Sequence, residues 1–143
     1  MIYNEQMLQI DDQIDLVLKA IDQSDLLQNY QKSKRQMEAD PKATLAKATF
    51  TKAKTRFEEI SAYGQYVPGY HEGQKEVMVA KRKLDLTDSV SAFRFAETSL
   101  QSLLDEIGAQ IAKAIDEEIK VDAGNPFFET GQSTSCGGNC HGS

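Results

Sequence analysis

Tryptophan is absent from this chain, proline occurs three times and cysteine twice. So little proline beside nine glycines argues against a loop-rich or barrel fold. Nowhere does an apolar run approach the roughly 18 residues of a membrane span, so no membrane insertion is expected. The opening Met-Ile-Tyr-Asn-Glu-Gln has neither the basic region nor the apolar stretch of a secretory signal. The closing His-Gly-Ser fits no lipidation motif. These absences predict a cytoplasmic protein, where two close cysteines are more often ligands or redox-active thiols than a structural disulfide. Also missing are a phosphate-cradling glycine loop, a helical pair of histidine ligands and a nucleophile with an evident base. Glu58-Glu59 and Asp116-Glu117-Glu118 read as solvated helix faces. The chain is not expected to be an enzyme.

What is present is charged, amphipathic helix. At 143 residues, with 40% hydrophobic and 27% charged residues, the chain is expected to build one modest core. The net charge of −6 argues against wholesale nucleic-acid binding. Its distribution is uneven. Residues 1–30 carry one Lys against six acids, and residues 31–60 carry eight Lys and Arg against four. That central segment is either a local phosphate contact or a solvated helix face. Tight, autonomous RNA binding is not expected.

Apolar residues recur at three- and four-residue steps from end to end. Met7, Ile10, Ile14, Val17 and Ile21 define a first helix. Ser24 caps a second, carrying Leu26, Leu27, Tyr30 and Met37. Asp40-Pro41 starts a third, with Leu45, Phe50, Ala53, Phe57 and Ile60, which stops near Tyr63-Gly64. Pro68-Gly69 is a turn, and Tyr63, Tyr66 and Tyr70 around it are expected to close the core there. A fourth helix runs from about Tyr70 to Leu84, with His71 on its surface. The fifth begins near Asp88. Val90, Phe93, Leu100, Leu104, Ile107, Ile111 and Ala114 follow a heptad spacing interrupted by Glu97. If it reaches about Lys120 it is roughly 50 Å long, too long for one compact domain to cover. The pattern predicts an all-α antiparallel bundle of about five helices with one long C-terminal helix, oligomerising through its helices. A homodimer or higher oligomer is expected. The helical domain should span residues 1–121, and 122–143 should form a flexible Gly/Ser-rich tail.

The tail holds both cysteines and one of the two histidines in Cys136-Gly-Gly-Asn-Cys140-His141. Two thiolates and an imidazole within six residues form a donor set for a soft metal, one ligand short of a closed site. The glycines allow tight turns. Cys136, Cys140 and His141 are therefore candidate metal ligands. A regulatory disulfide between Cys136 and Cys140, or thiols with no site at all, are the alternative readings of the same spacing.

Several stretches carry a resemblance. They are Tyr63-Gly-Gln-Tyr-Val-Pro-Gly-Tyr70, Lys83-Leu-Asp-Leu-Thr-Asp-Ser-Val90, Leu100-Gln-Ser-Leu-Leu-Asp-Glu-Ile107, Gly124-Asn-Pro-Phe-Phe128 and the Cys-Gly-Gly tail. Together they resemble the YlbF/YmcA family of small helical bacterial proteins, within it the YlbF-like branch. The resemblance implies a non-enzymatic regulatory adaptor in a complex with YmcA-like and YaaT-like proteins. It implies action on messenger RNA maturation through ribonuclease Y, and thereby on competence, biofilm formation and, where present, sporulation. It further implies an iron–sulfur cluster at Cys136 and Cys140. The family tail is often richer in cysteine, so here the cluster is expected to be shared with another subunit. The alternative function is a small soft-metal-binding or redox-sensing protein acting through the tail.

Overall fold

The computed structural model describes residues 5–124, and among them all regular structure is helical. The five helices are α1 (Glu5–Asp22), α2 (Asp25–Ala39), α3 (Pro41–Ser61), α4 (Tyr70–Asp85) and α5 (Asp88–Ile115). The expected all-α class with a long last helix is what forms. The chain divides into two compact units, one up to Glu97 and one from Thr98, with α5 supplying residues to both.

The helix boundaries follow from capping chemistry. Ser24 accepts the Leu27 backbone N–H at 3.2 Å and starts α2. Asp40 accepts the Lys42 N–H at 2.8 Å, and Pro41 takes the first helical position of α3, where no donor is lost. Gly64 and Gly69 hold φ at 94° and 89° around the Tyr-Val-Pro turn, a backbone region glycine enters without Cβ strain. The last helix ends earlier than expected, at Ile115 rather than near Lys120. The cause is Asp116. Its carboxylate accepts the Glu118 N–H at 2.8 Å and its carbonyl accepts the Ile119 N–H, a turn that competes with continued helix.

In the first unit the most extensive helix contact joins α3 to α4. Small residues make it possible. Ala43 and Ala46 of α3 and Gly73 and Ala80 of α4 are all buried. A Cβ at Gly73 would stand 3.1 Å from Phe57 Cδ2, closer than ordinary packing. Tyr70 stacks on Phe57 with ring centroids 5.1 Å apart. From the start of α5, Val90 and Ala96 are buried, and Phe93 meets Tyr30 of α2 at 5.5 Å.

Two expected core groups lie elsewhere. Leu45 is 68% exposed, because the α3 core stripe runs Ala43, Ala46, Phe50, Ala53, Phe57 and turns Leu45 to the opposite side. Tyr63 and Tyr66 are more than four-fifths exposed, so of the three tyrosines only Tyr70 closes the α3–α4 end. On α5, Leu104, Ile111 and Ala114, members of the stripe expected to self-associate, are exposed in the single chain, while Leu100, Asp105 and Ala112 are buried.

Asp40 does more than cap α3. Its second carboxylate oxygen accepts the hydroxyl of Ser89, tying α3 to the start of α5. Ser89 and then the Lys42 N–H hold the carboxyl below the ordinary aspartate value of 3.8. A carboxyl with a lowered native value adds stability above its unfolded value and loses it as pH falls through the native one. Asp40→Asn should therefore flatten the acid arm of the stability curve below about pH 4, read as thermal midpoints across that range. At Gly73, valine would push branched carbons into Phe57. Gly73→Val should cost about 1–3 kcal/mol in urea unfolding.

Candidate functional site

The second unit contains a buried carboxylate with defined work. Asp105 on α5 is 5% exposed. Its Oδ1 accepts the Gln101 side-chain amide at 2.8 Å and the Gly124 backbone N–H at 2.9 Å. Residues four apart share a helix face, which brings Gln101 and Asp105 together. The strand of chain after α5 lies against that face. A Cβ on Gly108 would meet Val121 Cγ1 at 3.6 Å, and one on Gly124 would meet Gln101 Nε2 at 2.5 Å. Glycine is thus required at 124 for the backbone to reach Asp105 while Gln101 keeps its bond. This clasp fixes where the chain leaves α5 at the last described residue. Chemically it is an anchor, since both polar partners are engaged with one another.

In the first unit a cavity of about 610 Å³ is lined by Met37, Phe50, Leu84 and Phe93, with Lys47, Arg94, Glu38 and Glu97 among them. Arg94 is committed. Its guanidinium pairs with Asp85 Oδ1 at 3.1 Å, and the other oxygen of Asp85 takes Lys81. The lining charges balance, two of each sign.

Of the sequence candidates, Cys136, Cys140 and His141 lie outside the described residues, as do Asn125 to Phe128. His71 is exposed and meets the Tyr70 ring edge-on at 5.6 Å. Among the described residues no three His, Cys, Asp or Glu side chains stand together as a metal site. No helix among them is long and apolar enough to cross a membrane. Sequence reasoning passed over Asp105, Gln101 and Gly124 as a set. The available signal was a Gln-x-x-x-Asp pair within an apolar helix, placed where an acid has reason to be only if something donates to it.

The family described as "Control of competence regulator ComK, YlbF/YmcA" matches residues 10–116. The chain belongs to the YlbF/YmcA family. It is 38% identical to the regulatory protein YlbF of Bacillus subtilis (strain 168) over 118 residues, covering 82% of this chain and 78% of that protein. A solved structure described as Bacillus subtilis RicA in complex with RicF superposes with a TM-score of 0.71 at 32% identity. It covers 79% of this chain and 98% of the matched one. The family match stops at residue 116, so Gln101 and Asp105 lie within it and Gly124 and the cysteines beyond it.

Asp105→Ala removes the acceptor that Gln101 and Gly124 share. It should cost about 1–3 kcal/mol and speed hydrogen exchange at the Gly124 amide. Gly124→Ala should displace the Gln101 side chain and weaken the same bond, with a smaller loss of stability.

Proposed function

We propose that this chain is a non-enzymatic regulatory adaptor. It acts as a subunit of a complex with YmcA-like and YaaT-like proteins that promotes ribonuclease Y-dependent maturation of messenger RNA. Through that step it affects competence, biofilm formation and, where present, sporulation. The observation that carries the reading is kinship along most of the chain to a regulatory protein and to a protein whose structure is that of a complex. The side chains agree with a binding role. Ile10, Ile14 and Val17 of α1 and Leu104 and Ile111 of α5 are each 42–59% exposed in the single chain. Such stripes need partners, and the α5 stripe is assigned here to self-association.

The tail is the second element of the proposal. Cys136 and Cys140 would supply two thiolates to an iron–sulfur cluster, whose four ligands are completed by another subunit. His141 is a further candidate ligand. When bound, the cluster would make assembly responsive to oxidation. Two thiolates alone do not close such a site, which is why the partner is part of the proposal. The competing reading, a small soft-metal or redox protein, rests on this same donor set.

The deciding experiment is anaerobic co-expression with the YmcA-like and YaaT-like proteins, for wild type and a Cys136→Ser, Cys140→Ser variant. Wild type should capture both proteins and carry iron and sulfide. The variant should lose the cluster while its helices still hold a partner. Equal cluster content in both would remove these cysteines from the site. Failure of wild type to capture either protein would sink the adaptor reading and leave the metal-handling one.

A further inference from the structure

The helix with the most unspent surface is α1. None of its residues is buried, and its contact with α2 is slight. Ile10, Ile14, Val17 and Ile21 form its apolar stripe, and Asp11, Asp15 and Asp22 fall on one edge of that stripe at helical spacing. α1 holds five acids and one lysine, so two copies of it would bring like charges together.

Its complement lies on the outer side of the α3–α4 pair. There a cavity of about 470 Å³ is lined by Lys42, Leu45, Thr49, Lys83, Leu86 and Asp88. Leu45 and Leu86 are 68% and 69% exposed. On α3, Lys42, Leu45, Thr49 and Lys52 follow one another at steps of three, four and three, and so share a face. Among the described residues Lys42, Lys52 and Lys83 make no close ion pair, Lys42 being drawn only at longer range to Asp40, and Asp88 is the only acid lining the cavity. The seam is therefore apolar at its centre and cationic at its edges.

We propose that this seam receives α1 of a second copy of the chain. The lengths agree. At 1.5 Å per residue Asp11 to Asp22 spans about 16 Å, and Lys42 to Lys52 about 15 Å. The seam offers lysines where α1 offers aspartates, and leucines where α1 offers isoleucine and valine. Two exposed leucines favour an acidic amphipathic helix over a phosphate backbone, which has no use for them. Because each copy carries both surfaces, two copies exchanging α1 make a closed two-fold assembly. The surface is separate from the α5 stripe invoked above.

Hydrogen exchange of the α1 amides in the full chain tests this, with concentration as a variable. In wild type α1 should be protected, and protection should rise with protein concentration. Lys42→Glu with Lys83→Glu should speed α1 exchange about tenfold or more, and so should Asp11→Lys with Asp15→Lys. Mixing the two variants, or combining all four changes, should restore protection. All four sites are exposed, so circular dichroism should be unchanged. Protection independent of concentration would overturn the proposal, as would α1 exchange indifferent to the seam lysines. So would loss of bare-RNA binding on Lys42→Glu, Lys83→Glu with α1 exchange unchanged, which would assign the seam to nucleic acid. Partner capture by the seam variants is scored separately, so failure here leaves the adaptor reading standing.

Discussion

The close approach of α3 and α4 is the constraint on which the first unit depends. Gly73 lets the backbone of α4 come within reach of Phe57, and the alanines at 43, 46 and 80 keep the two helices near one another along their length. Tight packing of small residues gains dispersion contacts but little apolar area per residue. The consequence appears across the described chain. No large side chain is fully buried, and the core consists mainly of alanines with Val90 and Leu100. A helix pair of this kind fixes geometry well and leaves most of the large apolar side chains unspent.

That distribution gives the exposed residues their meaning. Single exposed leucines are ordinary on any protein surface. Here they come in rows, along α1 and along the second half of α5, while the interior is built from small residues. The large apolar side chains that would normally fill a core are displayed instead. Rows of this kind on the surface are the physical basis of the assembly proposed above, in which surfaces rather than a pocket would carry the function.

The elements legible in the sequence were those set by local chemistry. Ser24, Asp40-Pro41, Gly64 and Gly69 act through bonds and dihedrals within four residues, so their effect can be read without knowing the fold. Leu45 was misplaced because the third helix has two stripes and the alanine one is less hydrophobic by composition yet faces the core. Tyr63 and Tyr66 were misplaced because proximity in sequence to a turn does not fix which ring faces inward. Asp105 was only half legible, for a different reason. Its bond from Gln101 follows helical spacing, but its other donor is Gly124, 19 residues away, and no periodicity reports a contact of that range.

The clasp at Asp105 also sets where the chain leaves α5. A buried carboxylate is costly unless donors meet it, and one of its donors is the backbone of Gly124. Holding that backbone therefore stabilises the second unit itself. The point of departure of the chain is then coupled to the packing of α5 around Leu100 and Ala112. Twelve positions separate Gly124 from Cys136 in the sequence. An extended segment spans at most about 3.3–3.6 Å per residue, so the anchor bounds how far the first thiol can lie from α5, to roughly 40 Å. For the shared site proposed above, a ligand set completed by another subunit would have to fall within that radius. The clasp would thus turn a stability requirement of α5 into a geometric limit on the proposed shared site.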